Sequence, residues 1–172
     1  MQVITGLSGG NGKGIEPILM SWFTDFMKAE AVLRLGVAGD AKALMLSGVN
    51  KSINRVRSFA TSLGQGLPAG LEPIQDLYTS TLNTVYNNST DKLDVVMKEY
   101  YISLYGNAVE AYNMYRRTSS PKNMQPPLSA NPGIFFRSFV YPAIAVNSNT
   151  GIQQKTDGSV KVFWDKNPDD LK

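Results

Sequence analysis

The chain has 172 residues, 17 Lys and Arg against 14 Asp and Glu, a net charge of +3 and 42% hydrophobic residues, the profile of one ordinary domain with enough apolar material for a core. It contains no histidine and no cysteine, which removes disulfides, thiolate metal sites, cysteine nucleophiles and the usual base of a serine nucleophile. Arg116-Arg117 is the one adjacent pair of cations, so no basic stripe suited to nucleic acid forms, and no apolar run approaches the ~18 residues of a membrane span.

The first stretch, TGLSGGNGKGIEP (Thr5 to Pro17), offers two enzyme patterns. Gly6-Leu7-Ser8-Gly9-Gly10 fits the G-x-S-x-G of a hydrolase nucleophile elbow. That elbow needs a strand before it and a helix after it, whereas Met1 to Thr5 is too short for a central strand and Pro17 interrupts the segment after the motif. A phosphate-binding loop needs glycine five positions before its Gly-Lys pair and Ser or Thr after it; those places hold Leu7 and Gly14. Glycines at such density leave the backbone little restrained, and residues 1–14 read as a flexible surface loop.

Next, ILMSWFTDFMKAEAVLRL places Leu19, Trp22, Phe23, Phe26, Ala29 and Leu33 on one helical face, with Trp22 as a core anchor, and Gly36 and Gly39 end the helix. Asp40 is the expected N-cap of a second helix, DAKALMLSGVNKSINRVRSF, whose Leu44, Gly48, Val49, Ile53 and Val56 share a face. A connection this short favours an antiparallel pair, and Gly48 would let the two backbones approach closely. The hairpin is similar to a single tetratricopeptide-type unit, with no second copy at the expected period.

After a loose stretch from Gly64 to Gly70, LEPIQDLYTSTLNTVYN predicts a weaker helix diluted by Thr and Ser. A stronger one begins near Ser89 or Thr90 and continues to Arg117, with a kink or break at Gly106 and a buried side marked by Val96, Tyr100, Leu104, Ala108, Ala111 and Tyr115. Pro121, Pro126, Pro127, Pro132 and Pro142 then exclude regular helix. NPGIFFRSFVYPAIAV is too aromatic for a linker and predicts an ordered, irregular wrap packed on the helices. A turn at Thr156-Asp157-Gly158-Ser159 and a short strand-like VKVFW close the chain. The expected fold is therefore mainly α: a helical hairpin, long helices and an irregular Pro-rich C-terminal wrap, with 15–118 helical and 119–172 the wrap.

Tyr78 and Tyr86, on the Thr-rich helix near Asn87 and Asn88, are the candidates for solvent-facing aromatics that touch a ligand; Trp164, beside Asp165 in the tail, is the third. Tyr100, Tyr101, Tyr105, Tyr112 and Tyr115 read as packing. Arg116 and Arg117 stand where a helix C-terminus favours positive charge and where they can hydrogen-bond the wrap. Glu30 calls for an arginine partner. Glu99 and Glu110 would lie ~16 Å apart along a continuous helix, beyond the roughly 5–9.5 Å of glycosidase carboxylate pairs, unless Gly106 folds the helix back. No catalytic residue, metal site or cofactor is expected.

The order of these pieces resembles a known family. EAYNMYRRTSSP, then NPGIFFRSFVYPAIAVNSN, then VFWD is similar to the C-terminal part of SusD/RagB-like nutrient-binding outer-membrane lipoproteins, in particular their second SusD-like subfamily. The residues carrying the likeness are Glu110, Ala111, Tyr112, Arg116, Arg117, Arg137, Tyr141, Pro142 and Asn147, together with the upstream Ala29-Glu30-Ala31 and the Gly-Asp turn after it. The resemblance spans about 12–164. It implies that 1–172 is the C-terminal portion of a single SusD-like domain, lacking an N-terminal portion that would supply the anchoring cysteine and most of the ligand platform, so it carries over no ligand residue.

Implied with it are a lipid-anchored, cell-surface, outer-membrane protein that binds oligosaccharide or peptide without catalysis and delivers it to a SusC-like TonB-dependent transporter. The alternative, from a different class, is a helical-repeat adaptor that binds a protein partner. An enzyme would need an Asp, Glu or Lys mechanism for which the sequence shows no constellation.

Overall fold

The structure, a computed structural model, describes residues 13–64, 66–67, 69–125, 128–131, 133–165 and 167–168. The glycine-rich loop expected over 1–14 lies outside them except for Lys13 and Gly14. Among the described residues the regular structure is entirely helical: α1 (Ser21–Leu35), α2 (Ala41–Ser62), α3 (Leu71–Asn88), α4 (Lys92–Ser103), α5 (Ala108–Thr118) and α6 (Ala143–Ser148). The chain forms two compact units, 1–111 and 112–172, with the boundary inside α5.

In the first unit, α1 stops where Gly36 takes a φ of +66°, a conformation that favours glycine. Asp40 caps α2 as expected, its carboxylate accepting from the Ala43 amide at 3.0 Å. Asp91 does the same for α4, accepting from the Asp94 amide at 3.0 Å. Gly106, at φ +93°, breaks the long predicted helix in two. Asn107 restarts it: its side-chain oxygen accepts from the Glu110 amide at 3.0 Å, while its amide nitrogen donates to Pro17 O at 2.7 Å.

α1 packs on α2 and α4, and α2 also packs on α3 and α4. Phe23, Phe26, Ala29, Met45, Val96, Met97 and Tyr100 are fully buried in this core. Phe26 stacks on Tyr100 with ring centroids 5.1 Å apart, and Phe23 meets the same ring edge-on at 5.8 Å. Trp22 is the expected anchor, buried and donating from its indole N–H to Ser103 O at 3.3 Å. Gly48 sits beneath Phe26, where a Cβ would come within 2.8 Å of the ring. Beside it, the buried Asp25 carboxylate accepts from Lys51 Nζ at 2.6 Å and Ser47 Oγ at 2.9 Å, fastening α1 to α2. Glu30 meets Arg34 at 3.9 Å.

The predicted faces hold near the middle of the helices and fail at their ends. Leu19 is exposed because α1 starts only at Ser21. Val56 is exposed because α2, with 22 residues, outruns the 15 of α1. Tyr101 and Tyr105 are not packing residues, Tyr105 being 94% exposed beside the break at Gly106. Ala108 is exposed for the same reason: the restart at Asn107 resets the rotation of α5, and Met114 becomes a buried position instead.

The second unit reverses the usual arrangement. Arg116, Arg137, Ser138, Asp165 and Asn167 are buried, whereas Phe136, Phe139 and Phe163 are exposed. Phe135 packs inward, 5.8 Å from Tyr112 and 5.4 Å from Tyr115 on the last turns of α5. The turn at 156–159 forms as predicted, Asp157 accepting from the Ser159 amide at 2.7 Å. The strand expected at 160–164 does not: Val160 O is taken by the Ser138 hydroxyl, and Asp165 N–H turns back to Val162 O at 3.0 Å. α6 is an additional element, starting directly after Pro142, whose fixed φ suits a helix N-terminus.

Candidate functional site

An open cleft of about 420 Å³ lies in the first unit between α2, α3 and the end of α4. Val49 and Ile53 of α2, Leu71 and Ile74 of α3 and Ile102 of α4 make its walls aliphatic. Along α3 only Leu82 and Tyr86, in its C-terminal half, are buried, so the Leu71 and Ile74 end faces the cleft and not a packed partner.

Polar groups mark the two sides of the cleft. Arg57 donates to Gln75 Oε1 at 2.6 Å and pairs with Glu72, and Gln75 passes the chain on to Asn50 at 2.9 Å. That cation is therefore spent within the fold. Glu99 of α4 also lines the cleft and is only 6% exposed. The Tyr78 hydroxyl donates to its Oε2, and its other oxygen has no hydrogen-bond partner among the described residues. Burial pushes the Glu99 carboxyl above its ordinary range, against the opposing hydrogen bond from Tyr78 and the charge of Lys98. Burial, followed by the hydrogen bond to Glu99 and its charge, raises the Tyr78 phenol as well.

Of the three predicted ligand residues, Tyr78 lines this cleft with part of its ring open to solvent. Tyr86 differs from expectation: it is 9% exposed, packed under Lys92 Nζ at 5.1 Å from its ring centre. Lys92 also donates to Tyr86 O and to Asn87 O, so the C-terminal end of α3 is tied down by the start of α4. Trp164 belongs to the second unit, where Arg116 lies 4.8 Å from its ring centre and 4.1 Å from that of Tyr112. About a third of Trp164 remains open.

The arginines named in the sequence hold that unit together. Arg116 donates to Arg137 O at 2.5 Å, the predicted bond from the helix end to the wrap. Arg137 forms a two-pronged ion pair with Asp165, its Nε 2.7 Å from Oδ2. Burial alone would raise the Asp165 carboxyl, but hydrogen bonds from Arg137 and the Asn167 amide, with the charges of Arg137 and Lys161, hold it below the usual range. Sequence reading missed this pairing across 28 positions, although Arg137 and Asp165 were each visible in it. It also missed the cleft walls, for which the one signal was aliphatic residues at positions too far apart to be associated without the packing.

Glu99 and Glu110 are engaged by different partners. The helix between them is broken, Glu99 is engaged by Tyr78, and Glu110 accepts from the Tyr100 hydroxyl at 3.3 Å. Among the described residues no group of three or more Asp and Glu could share a metal ion, and no helix is long and apolar enough to cross a membrane.

An all-helical scaffold with an aliphatic cleft and a carboxylate held by a tyrosine has the features of a small-ligand binding protein. Residues 10–142 match the second SusD-like family, described as starch-binding associating with outer membrane, and the chain belongs to that family. Comparison with curated proteins and with solved structures gave no match. Membership implies carbohydrate binding at the cell surface, in association with the outer membrane, in a family of binding proteins rather than catalysts. The match ends at Tyr141-Pro142, so Trp164 and Asp165 lie beyond it, yet Asp165 is the buried partner of Arg137 inside it.

Proposed function

We propose that the protein is a surface lipoprotein that captures an oligosaccharide or a peptide and passes it unchanged to a SusC-like TonB-dependent transporter in the outer membrane. The family match over 10–142 is the observation that carries this reading. Tyr78 and Trp164 are the proposed ring contacts, because each presents open ring surface; Tyr86, buried beneath Lys92, is left out. Sugar recognition by stacking and amide hydrogen bonds is electrically neutral, and added salt screens charge pairs while leaving stacking almost untouched.

Calorimetry against a panel of malto-oligosaccharides and short peptides, with product analysis after long incubation, tests it. Oligosaccharide affinity should change less than about twofold between low and physiological salt. Trp164→Ala should weaken it about fivefold, an aromatic contact of ~1 kcal/mol. Steady cleavage of the ligand, or affinity that collapses with salt, would overturn the reading.

A further inference from the structure

Apart from the part-open ring of Tyr78, the cleft between α2, α3 and α4 is poorly suited to sugar. Its walls are aliphatic, and its polar side chains are few: Gln75 is held by Arg57 and Asn50, Ser103 donates to Tyr100 O at 2.8 Å, and beyond these there is the hydroxyl of Ser52. A sugar bound there would leave most of its hydroxyls without partners, which is unfavourable in a desolvated site. One acidic group also has an oxygen left over. Glu99 is buried, it lines the cleft, and one of its two carboxylate oxygens has no partner among the described residues.

A largely buried carboxylate with an oxygen open to the cleft selects for a donor, and best for a cation, since hydrogen bonds between ionised groups are roughly twice as strong as neutral ones. The nearby cations do not fill that role: Arg57 is paired with Glu72, and Lys98, though its charge reaches Glu99, is an exposed residue. The volume, about 420 Å³, falls within the range of small-ligand pockets.

We propose that this cleft binds an aliphatic chain ending in an ammonium group, with the chain between Val49, Ile53, Ile74 and Ile102 and the ammonium against the free oxygen of Glu99. Two sources share that chemistry, a free alkylamine and the N-terminus of an aliphatic peptide. The site includes Tyr78, one of the two rings proposed for sugar, but not Trp164, and its test is a separate titration, so either reading can fail alone.

The 172-residue chain, labelled at its Ile, Leu and Val methyl groups, is titrated with heptylammonium, heptanol and heptanoate, and with trileucine amide bearing a free or an acetylated N-terminus. Heptylammonium should bind at least about tenfold more tightly than heptanol, heptanoate should not bind, and the shifted methyls should be those of Val49, Ile53, Ile74 and Ile102. Glu99→Gln retains an acceptor for Tyr78 and should abolish the preference for ammonium while its circular dichroism stays that of the parent. A second variant, Ile102→Asn, should weaken heptylammonium and heptanol alike. Tighter binding of the free-amine peptide than of heptylammonium would identify a peptide as the source, and the reverse a free amine. Equal affinity for the three head groups, no binding, shifts confined to other methyls, or an ammonium preference that survives Glu99→Gln would each overturn the proposal.

Discussion

With burial pushing the Glu99 carboxyl upward, the unfolded chain gives up this proton at a lower pH than the folded protein does. Between those two values the folded protein holds more protons, so the contribution of Glu99 to stability falls as pH rises through that window. Glu99→Gln removes the ionisation and keeps an acceptor for Tyr78. Urea melts from about pH 4 to about pH 8 should therefore show the variant gaining on the parent as pH rises through the carboxylate range. A constant difference across that range would show that the carboxylate is not desolvated. Asp165 has the opposite sign. Its folded value is depressed, so its stabilisation is present above the unfolded value and disappears as pH falls through the folded one.

At the level of helices, the close approach of α1 and α2 depends on the missing side chain at Gly48. Alanine there gains about 1 kcal/mol of helix propensity but puts a methyl 2.8 Å from the Phe26 ring, which is itself stacked on Tyr100. Overpacking of that kind costs about 1–3 kcal/mol. Gly48→Ala should therefore lower stability by ~1 kcal/mol net, read from denaturant melts; a variant as stable as the parent would mean that the Phe26 ring can move aside.

The helices themselves were legible in the sequence because their signals are local. Gly36, Asp40 and Gly106 each act on the next few residues, and each ends or starts a helix where the sequence places it. Asn107 and Glu110 carry a readable capping signal too, masked by the stronger glycine beside them. The strand at 160–164 failed because alternation promises a strand only if another strand pairs with it, and here the neighbouring segment supplies a hydroxyl and an ion pair instead. The cleft was illegible for a related reason: it is the space left by three helices, and no single helix encodes it.

Across the whole chain, large apolar side chains remain exposed in both units: Ile74, Leu77 and Ile102 in the first, and Phe136, Phe139 and Phe163 in the second. Apolar surface of this extent promotes association. The 172-residue chain expressed by itself should therefore bind a hydrophobic dye and self-associate with rising concentration in sedimentation velocity. A single monomeric species without dye binding, across the accessible range, would count against exposed apolar surface as a determinant of its behaviour. The polar interior of residues 112–172 also governs how stability responds to temperature. Exposing apolar surface raises the heat capacity on unfolding, whereas exposing polar surface lowers it. Arg137, Asp165 and Asn167 thus give their unit a comparatively flat stability curve, while the aromatic core around Tyr100 gives the helices a curved one. On cooling, it is the helical bundle, with the larger share of hydrophobic stabilisation, whose grip loosens first.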